Sequence, residues 1–222
     1  MEALKEKDIP NVQIVLNSEN LGFAGGNNEG IKRASGDYVV LLNNDTVISR
    51  GWLTSMEKHL AQKSELGMIG LTTNSIGNEC KVVAKYSDMV EFRKFAYQLT
   101  AKKMGKTYNR VKMLPLFCTM IKKSVIDEAG MLDPIYKVGM FEDDDFAEAV
   151  KEKGYELAIA DDAFIHHYDG GSFKKLEDAR YKAIFEENKA IFEEKWHKEW
   201  VPQRYREGVD WDTNAGMQEV ML

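Results

Sequence analysis

Residues 38–46 read YVVLLNNDT. Five apolar residues in a row, without alternation, are the mark of a strand buried on both faces, as in parallel sheets covered by helices. The run breaks into Asn43, Asn44, Asp45 and Thr46. A buried strand that delivers polar residues at its carboxyl end matches open α/β sheets, whose ligands bind in the crevice beyond those ends. Working outward, Val12–Leu16 is a short β-branched run that predicts a strand. A glycine-rich turn over Gly22–Gly30 follows, then a short helix ending at Gly36. Helical spacing covers Trp52–Leu60, and Met68–Leu71 reads as another strand. This βαβαβ rhythm predicts an α/β fold with a mostly parallel sheet and flanking helices.

Farther along, residues 87–105 have a helical period and Leu114–Ile121 is strand-like. Ser124 and Asp127 have the spacing of a capping box that opens a short helix stopping at Gly130. A helix is predicted from the acidic cluster Glu142–Asp145 to Gly154, followed by two short strands, Leu157–Ala160 and Ala163–His167. From Leu176 to Trp200 the chain is helical, with Tyr181, Phe185, Phe192, Trp196 and Trp200 at intervals that suit packing on the rest of the fold. The last fifteen or so residues have no period and are expected to fray. The division expected is a main domain over 1–175 and a C-terminal helical extension over 176–222.

Composition narrows the function classes. Lys and Arg total 30 against 36 Asp and Glu, a net charge of −6, and a nucleic-acid binder usually carries a basic surplus instead. Two cysteines, Cys80 and Cys118, form no CxxC pair and point to a reducing, cytoplasmic setting. No apolar run reaches the ~18 residues that span a bilayer.

Several motifs can carry chemistry. Asp45 offers a hard oxygen to Mg²⁺ or Mn²⁺, although an Asn-Asp turn uses the same residues for local hydrogen bonds. Four consecutive acids, Glu142, Asp143, Asp144 and Asp145, repel one another, so at least one should have a raised pKa or a cation nearby. Such a carboxylate suits a general base. His166 and His167 end an apolar strand, and alternation sends their rings to opposite faces. The stretch NLGFAGGNNEG (residues 20–30) fits neither GxGxxG nor GxxxxGK[ST], so neither a dinucleotide site nor a P-loop is supported. The acids also lack the spacing of an EF-hand loop.

In order and spacing, NLGFAGGNNEG, LLNNDT followed by Gly51-Trp52, TNSIGNE, FEDDD and HH-x4-SF resemble glycosyltransferase family 2, the inverting nucleotide-sugar transferases of GT-A fold. The resemblance covers roughly residues 11–173. It implies a metal-dependent inverting transfer of a sugar from a nucleotide-sugar donor to a hydroxyl acceptor, in glycan or polysaccharide synthesis. It also implies a lipid-linked or glycan acceptor and peripheral membrane association through a partner. By position, Asp143 falls on the catalytic base, with Glu142 and Asp144 beside it in the acceptor or sugar pocket. Asp45 and His167 fall on the metal site, with Mg²⁺ or Mn²⁺ as cofactor. Asn20, Gly22, Asn28 and Asn43 fall on the donor side, and Asn74, Asn78 and Glu79 on the acceptor or sugar pocket.

Two departures stand out. Ala149 occupies the place where many relatives carry an Arg, and roughly 40 residues of nucleotide-gripping strands are expected ahead of Met1. A chain lacking them is expected to transfer sugar poorly, and to expose a sheet edge that invites pairing into a homo-oligomer. The competing reading is a non-catalytic carbohydrate-binding or scaffolding remnant of the same fold.

Overall fold

The computed structural model describes residues 10–109, 111–136, 139–168 and 178–209. Six strands form one sheet: β1 (Tyr38–Leu42), β2 (Thr46–Ile48), β3 (Leu66–Thr73), β4 (Thr107–Asn109), β5 (Cys118–Lys122) and β6 (Glu156–His167). The helices are α1 (Gly22–Ile31), α2 (Trp52–Gln62), α3 (Met89–Lys103), α4 (Lys123–Ala129), α5 (Glu142–Glu152) and α6 (Asp178–Trp196), with a 3₁₀ turn at Pro134–Tyr136.

The α/β class stands, with pairing that is mixed rather than mostly parallel. The order is β1-β5-β3-β6-β2, with β4 also on β6. Among the named strands β3 and β6 pair in parallel. β5 is inserted antiparallel between β1 and β3, and β2 and β4 lie antiparallel on β6. β1, β3 and β6 therefore run the same way, and their carboxyl ends share one edge of the sheet.

β3 is buried along its whole length and β6 at all but its first residue, because both sheet faces are covered. Met68, Ile121, Leu157 and Ile159 meet Phe146, Ala147 and Val150 of α5 on one face. Ile69, Leu71, Met120 and Ala158 meet Met56 and Leu60 of α2 on the other. Each such side chain contributes roughly 1.5–3 kcal/mol, so the central strands form a rigid frame for whatever lies at their ends. The approach of the α5–β6 turn to β3 demands Gly67, where a Cβ would stand 2.7 Å from that of Tyr155.

Several local expectations are corrected. Val12–Leu16 forms no strand, and Val12 is 55% exposed; β1 pairs with β5 alone among the described strands. The glycine-rich stretch is a helix, α1, rather than a turn. Its glycines cost about 1 kcal/mol each relative to alanine, offset by burial of Ala24, Asn28 and Ile31. The capping box is not made: α4 begins at Lys123 without a side-chain cap, and Asp127 pairs with Lys123 one turn earlier. Residues 114–117 remain outside the sheet, β5 starting at Cys118. The two strands expected over 157–167 are one, whose register against β3 shifts between Leu71 and Thr72. The expected helix start at Leu176, the Ser172-Phe173 part of the histidine motif and the chain beyond 209 lie outside the described residues.

Candidate active site

The β1–β2 corner brings Asp45 to His167. The Asn43 amide donates to Phe117 O (2.7 Å), Thr46 Oγ1 closes the turn onto Asn43 O (2.8 Å), and the Tyr168 amide donates to Asp45 O (3.0 Å). Thr46 and His167 are register partners across β2 and β6. Asp45 Oδ1 then lies 3.4 Å from His167 Nε2. His167 is fixed from three sides. Its ring stacks on Phe117, with centroids 4.6 Å apart. Its Nδ1 lies 3.0 Å from Ser75 O, and its backbone is clamped by Asn74, whose Oδ1 accepts the His167 amide and whose Nδ2 donates to His167 O. A carbonyl only accepts, so Nδ1 carries a proton, and Nε2 is the ring nitrogen that faces Asp45.

Asp45 Oδ1 is buried without a hydrogen-bond partner. An orphaned hard oxygen beside an imidazole nitrogen suits Mg²⁺ or Mn²⁺, with diphosphate oxygens and water completing the shell. Among the described residues no cluster of three or more His, Cys, Asp or Glu is placed to hold a metal by protein ligands alone.

His166 faces the other way. It is fully buried against Phe92 and Tyr168, with Nδ1 2.6 Å from the Tyr86 hydroxyl, and burial lowers its pKa to about 4. The alternation read from the sequence thus separates one structural histidine from one at the site edge.

The acidic row forms the first turn of α5, where the helix dipole favours negative charge. The chain enters this helix through Met140 and Phe141, both left-handed at φ 77° and 74°, a region costly for residues with a Cβ. Asn188 of α6 holds the bend: its Nδ2 donates to Gly139 O (2.9 Å), Met140 O (3.1 Å) and Tyr136 O (3.3 Å). Phe141 is locked among Tyr136, Phe185, Phe192 and Trp200.

The four acids divide into two pairs. Asp145 takes bonds from Tyr136 Oη (3.0 Å), Trp196 Nε1 (2.7 Å) and Lys195 Nζ (2.9 Å). Lys195 supplies the charge partner that Ala149 cannot. Asp144 Oδ1 accepts from Trp200 Nε1 and Gln203 Nε2, both at 3.1 Å. The other two have few partners. Asp143 Oδ1 accepts the Asp144 amide (3.0 Å), and Glu142 Oε2 is buried and unpartnered. Burial, then the charges of Asp144 and Glu142, hold the Asp143 carboxyl well above the usual carboxylate range. Burial pushes Glu142 up to about 7. It also pushes Asp144 up to about 6, against the pull of Trp200 and Gln203.

The segment after α6 is a strap that the sequence did not reveal. Beyond Asp144 it reaches the β3–α3 loop and β6. Arg206 Nε donates to Glu79 O, at 2.5 Å, and Arg206 Nη1 to Asp161 Oδ1, at 2.6 Å. Its guanidinium lies over the Tyr108 ring, 4.6 Å from the centroid. The strap thereby joins the acidic row to Glu79, which the sequence analysis had put in the same pocket. Glu79 Oε2 is buried and unpartnered.

Other expected site residues turn out to be supports. Asn74 and Asn78 are buried; Asn78 Oδ1 accepts the Cys80 amide, so both amides hold backbone rather than line a surface. Asn28 is likewise buried and exchanges two bonds with the Leu132 backbone (2.8 and 3.1 Å). Asn20 is exposed and accepts the Gly22 amide at 3.0 Å, starting α1. Asn43 remains half-buried beside Asp45.

Comparison with known proteins identifies the family and the fold. The model of the family described as glycosyl transferase family 2 matches residues 1–130, a span that includes Asp45 and stops short of the acidic row. An uncharacterized protein, y4gI, of Sinorhizobium fredii (strain NBRC 101917 / NGR234) is 23% identical over 195 residues, covering 83% of this chain and 21% of that protein. Among solved structures, GalNAc-T7 with UDP, GalNAc and Mn²⁺ is similar at a TM-score of 0.51 and 14% identity, over 70% of this chain and 31% of that one. The mannosyltransferase PcManGT from Pyrobaculum calidifontis, in complex with GDP-Man and Mn²⁺, is similar at 0.50 and 17%, over 72% and 40%. The chain thus spans less than half the length of each of these proteins, and the shared fold is that of GT-A glycosyltransferases.

Proposed function

The chain belongs to glycosyl transferase family 2, and from that premise we propose that it moves a sugar from a nucleoside-diphosphate donor to a hydroxyl acceptor with inversion at the anomeric carbon. The observation that carries this reading is the pairing of the orphaned Asp45 Oδ1 with His167 Nε2 at 3.4 Å, beyond the carboxyl ends of β1 and β6, where open α/β sheets bind ligands. Asp45 and His167 would hold a Mg²⁺ or Mn²⁺ ion together with the donor diphosphate. When bound there, the ion supplies positive charge to the departing diphosphate.

Asp143 is the base. It and Glu142 are the acids of the row that neither α6 nor the strap ties down, Asp143 is the one at the family's base position, and its raised proton affinity suits a proton acceptor. The acceptor O–H bond breaks towards Asp143 as the oxygen attacks the anomeric carbon, and the bond from that carbon to the diphosphate oxygen breaks on the opposite face. Asp144 and Asp145, tied by Trp200, Gln203, Trp196, Tyr136 and Lys195, keep the first turn of α5 in place. The acceptor, whether a free or lipid-linked glycan, belongs with Glu79, Glu142 and Asp144. Among the described residues no helix is long and apolar enough to cross a membrane, so a lipid-linked acceptor would be met from outside the bilayer. β1, at the edge of the described sheet, is where a second copy would pair.

The test is titration of UDP and GDP with and without Mn²⁺, followed by transfer assays on the parent and Asp143→Asn. We expect Mn²⁺-dependent nucleotide binding in both and transfer lost in the variant, since a base acts in the transition state rather than on donor affinity. Saccharide binding with no response to nucleotide or Mn²⁺ would identify a non-catalytic binding domain instead.

A further inference from the structure

Helix α3 packs one side on β6 and leaves the other uncovered. Phe92, Phe95, Ala96 and Leu99 lie with Tyr86 and Phe164 in one apolar cluster. On the side away from them, Val90, Lys94, Tyr97 and Ala101 recur at i, i+4, i+7 and i+11, so they form one outward stripe. Met104 follows directly beyond the helix, and all five are exposed. Among the described residues the three most exposed large apolar side chains are Tyr97 (76%), Val90 (72%) and Met104 (71%). Single exposed apolar residues are ordinary on a protein surface. Three that share one stripe mark an interaction surface instead.

We propose that the outer face of α3 docks on an anionic lipid bilayer. The proposal goes beyond the transferase reading and does not depend on it.

Charge complementarity is the first support. From Lys85 to Lys106 the chain carries six cations, Lys85, Arg93, Lys94, Lys102, Lys103 and Lys106, against two acids, Asp88 and Glu91. Both acids are occupied within the protein. Asp88 Oδ1 accepts the Val90 and Glu91 amides at 2.8 Å, and Glu91 Oε2 accepts from the Ser87 amide and hydroxyl at 2.8 Å. Lys103 is 3.6 Å from Asp161. The other five cations form no ion pair among the described residues. The chain as a whole carries a net charge of −6, so an anionic surface repels it in most orientations. Attraction is local to this face, which makes the docked orientation specific: α3 lies flat on the headgroups with β6 behind it.

The mixing of apolar and basic groups is the second support, and it selects the partner. A hydrophobic protein interface has few charged residues at its centre, whereas Lys94 sits inside this stripe, between Val90 and Tyr97. A nucleic acid or an acidic protein tract has use for the cations and none for the uncovered apolar groups among them. A bilayer surface takes both. Apolar side chains enter the headgroup–acyl boundary while neighbouring cations meet anionic headgroups. The lysine stem lies along apolar surface and leaves its ammonium in water. A tyrosine suits headgroup depth, with an apolar ring and a polar hydroxyl. Three apolar side chains are a weak anchor alone, so the basic groups supply the second signal that stable docking needs.

The experiment is flotation of the full 222-residue chain with vesicles of phosphatidylcholine alone and of phosphatidylcholine mixed with phosphatidylserine. We expect flotation with the mixed vesicles only, weakening as salt is added. Arg93→Gln with Lys94→Gln should weaken binding roughly 25-fold, from about fivefold for each cation near the surface. Tyr97→Ser with Met104→Ser should weaken it at least about tenfold. All four positions are exposed, so the far-UV circular dichroism of these variants should match the parent. Tyr97→Trp adds a reporter at the proposed contact, and brominated lipid in the mixed vesicles should quench its emission beyond that of the parent. No flotation with the mixed vesicles, equal flotation with phosphatidylcholine alone, or no added quenching in Tyr97→Trp would each overturn the proposal. Binding that falls with Arg93 and Lys94 but ignores Tyr97 and Met104 would overturn it in favour of a purely charged partner, an acidic protein or a nucleic acid. A lipid-free dimer of the parent that Tyr97→Ser dissociates would assign the face to a second copy instead. No nucleotide or sugar enters the test, so its failure leaves the transferase reading where it stands.

Discussion

Asn188 is the residue whose loss should tell most about how the acidic row is held. It is 3% exposed, and its single Nδ2 serves three carbonyls at 2.9, 3.1 and 3.3 Å. Two protons cannot serve three acceptors fully, so the loss corresponds to about two hydrogen bonds. Each carbonyl left unpaired in a buried place costs roughly 1–3 kcal/mol. The left-handed conformations at Met140 and Phe141 limit the total, because a released segment can relax strain of the order of 1–3 kcal/mol per residue. For Asn188→Ala we expect a net loss of about 3 kcal/mol. At roughly 2–4 °C per kcal/mol for a chain of this size, the midpoint of thermal unfolding, followed by far-UV circular dichroism, should fall by roughly 6–12 °C. Asn188→Asp is the sharper probe. It keeps the volume, removes both protons and sets a carboxylate against three carbonyl oxygens, so it should be less stable than the alanine variant. A change below about 1 kcal/mol for alanine, or an aspartate variant as stable as the parent, would show that the bend at 139–141 is held by the aromatic packing of Phe141 and not by this amide.

The two histidines should separate cleanly. Asp45→Ala should weaken Mn²⁺-dependent nucleotide binding by at least tenfold in calorimetry and His167→Ala by less, whereas His166→Ala should leave it nearly unchanged and cost roughly 1–3 kcal/mol of stability through the orphaned Tyr86 hydroxyl; equal effects of His166 and His167 on binding would contradict the one-face arrangement. Glu142→Gln gives a pH signature. A carboxyl raised by burial to about 7 is held more readily protonated in the folded state, so it subtracts stability as pH rises from the unfolded value near 4.5 through 7. The glutamine should therefore stabilise the chain at pH 8.5, by up to about 3 kcal/mol, and make no difference near pH 4; the same gain at both values would rule out a charge effect.

Some of this was legible in the sequence for clear reasons. YVVLLNNDT announces β1 and the β1–β2 corner through an apolar run with a hard polar end, but the burial on both faces that the run suggested is not found: β1 ends the described sheet, only Val39 and Leu41 are buried, and Leu42 is 44% exposed. Alternation put His166 and His167 on opposite faces, and the family resemblance singled out His167. The acids could be placed at a helix start, but not sorted, because what distinguishes Asp143 from Asp144 and Asp145 is supplied by Tyr136, Trp196, Trp200 and Gln203, most of them fifty or more residues away. Residues 22–30 mislead because glycine content argues for a turn, whereas Asn28 bonding to Leu132 makes the stretch helical. Asp161 and Asp162 look like a strand break. They are tolerated inside β6 because Arg206 binds the first and His59, Ser55 and the Gly105 amide bind the second. The strap has no periodic pattern, since it is a single extended pass whose contacts are set one residue at a time.

Two of the four tryptophans direct their indole N–H groups at the acidic row: Trp196 at Asp145 and Trp200 at Asp144. The protein therefore carries a built-in optical reporter of its acids. Indole emission responds to a charge or polarity change at Nε1, so protonation of Asp144 or entry of a ligand beside it is transduced into a spectral shift without any label. Trp52 lies with α2, on the opposite face of the sheet from α5. The difference spectrum between the parent and Trp200→Phe isolates the signal of a single hydrogen bond. Stopped-flow emission then times events at the acids separately from those at Asp45 and His167, which no tryptophan among the described residues touches.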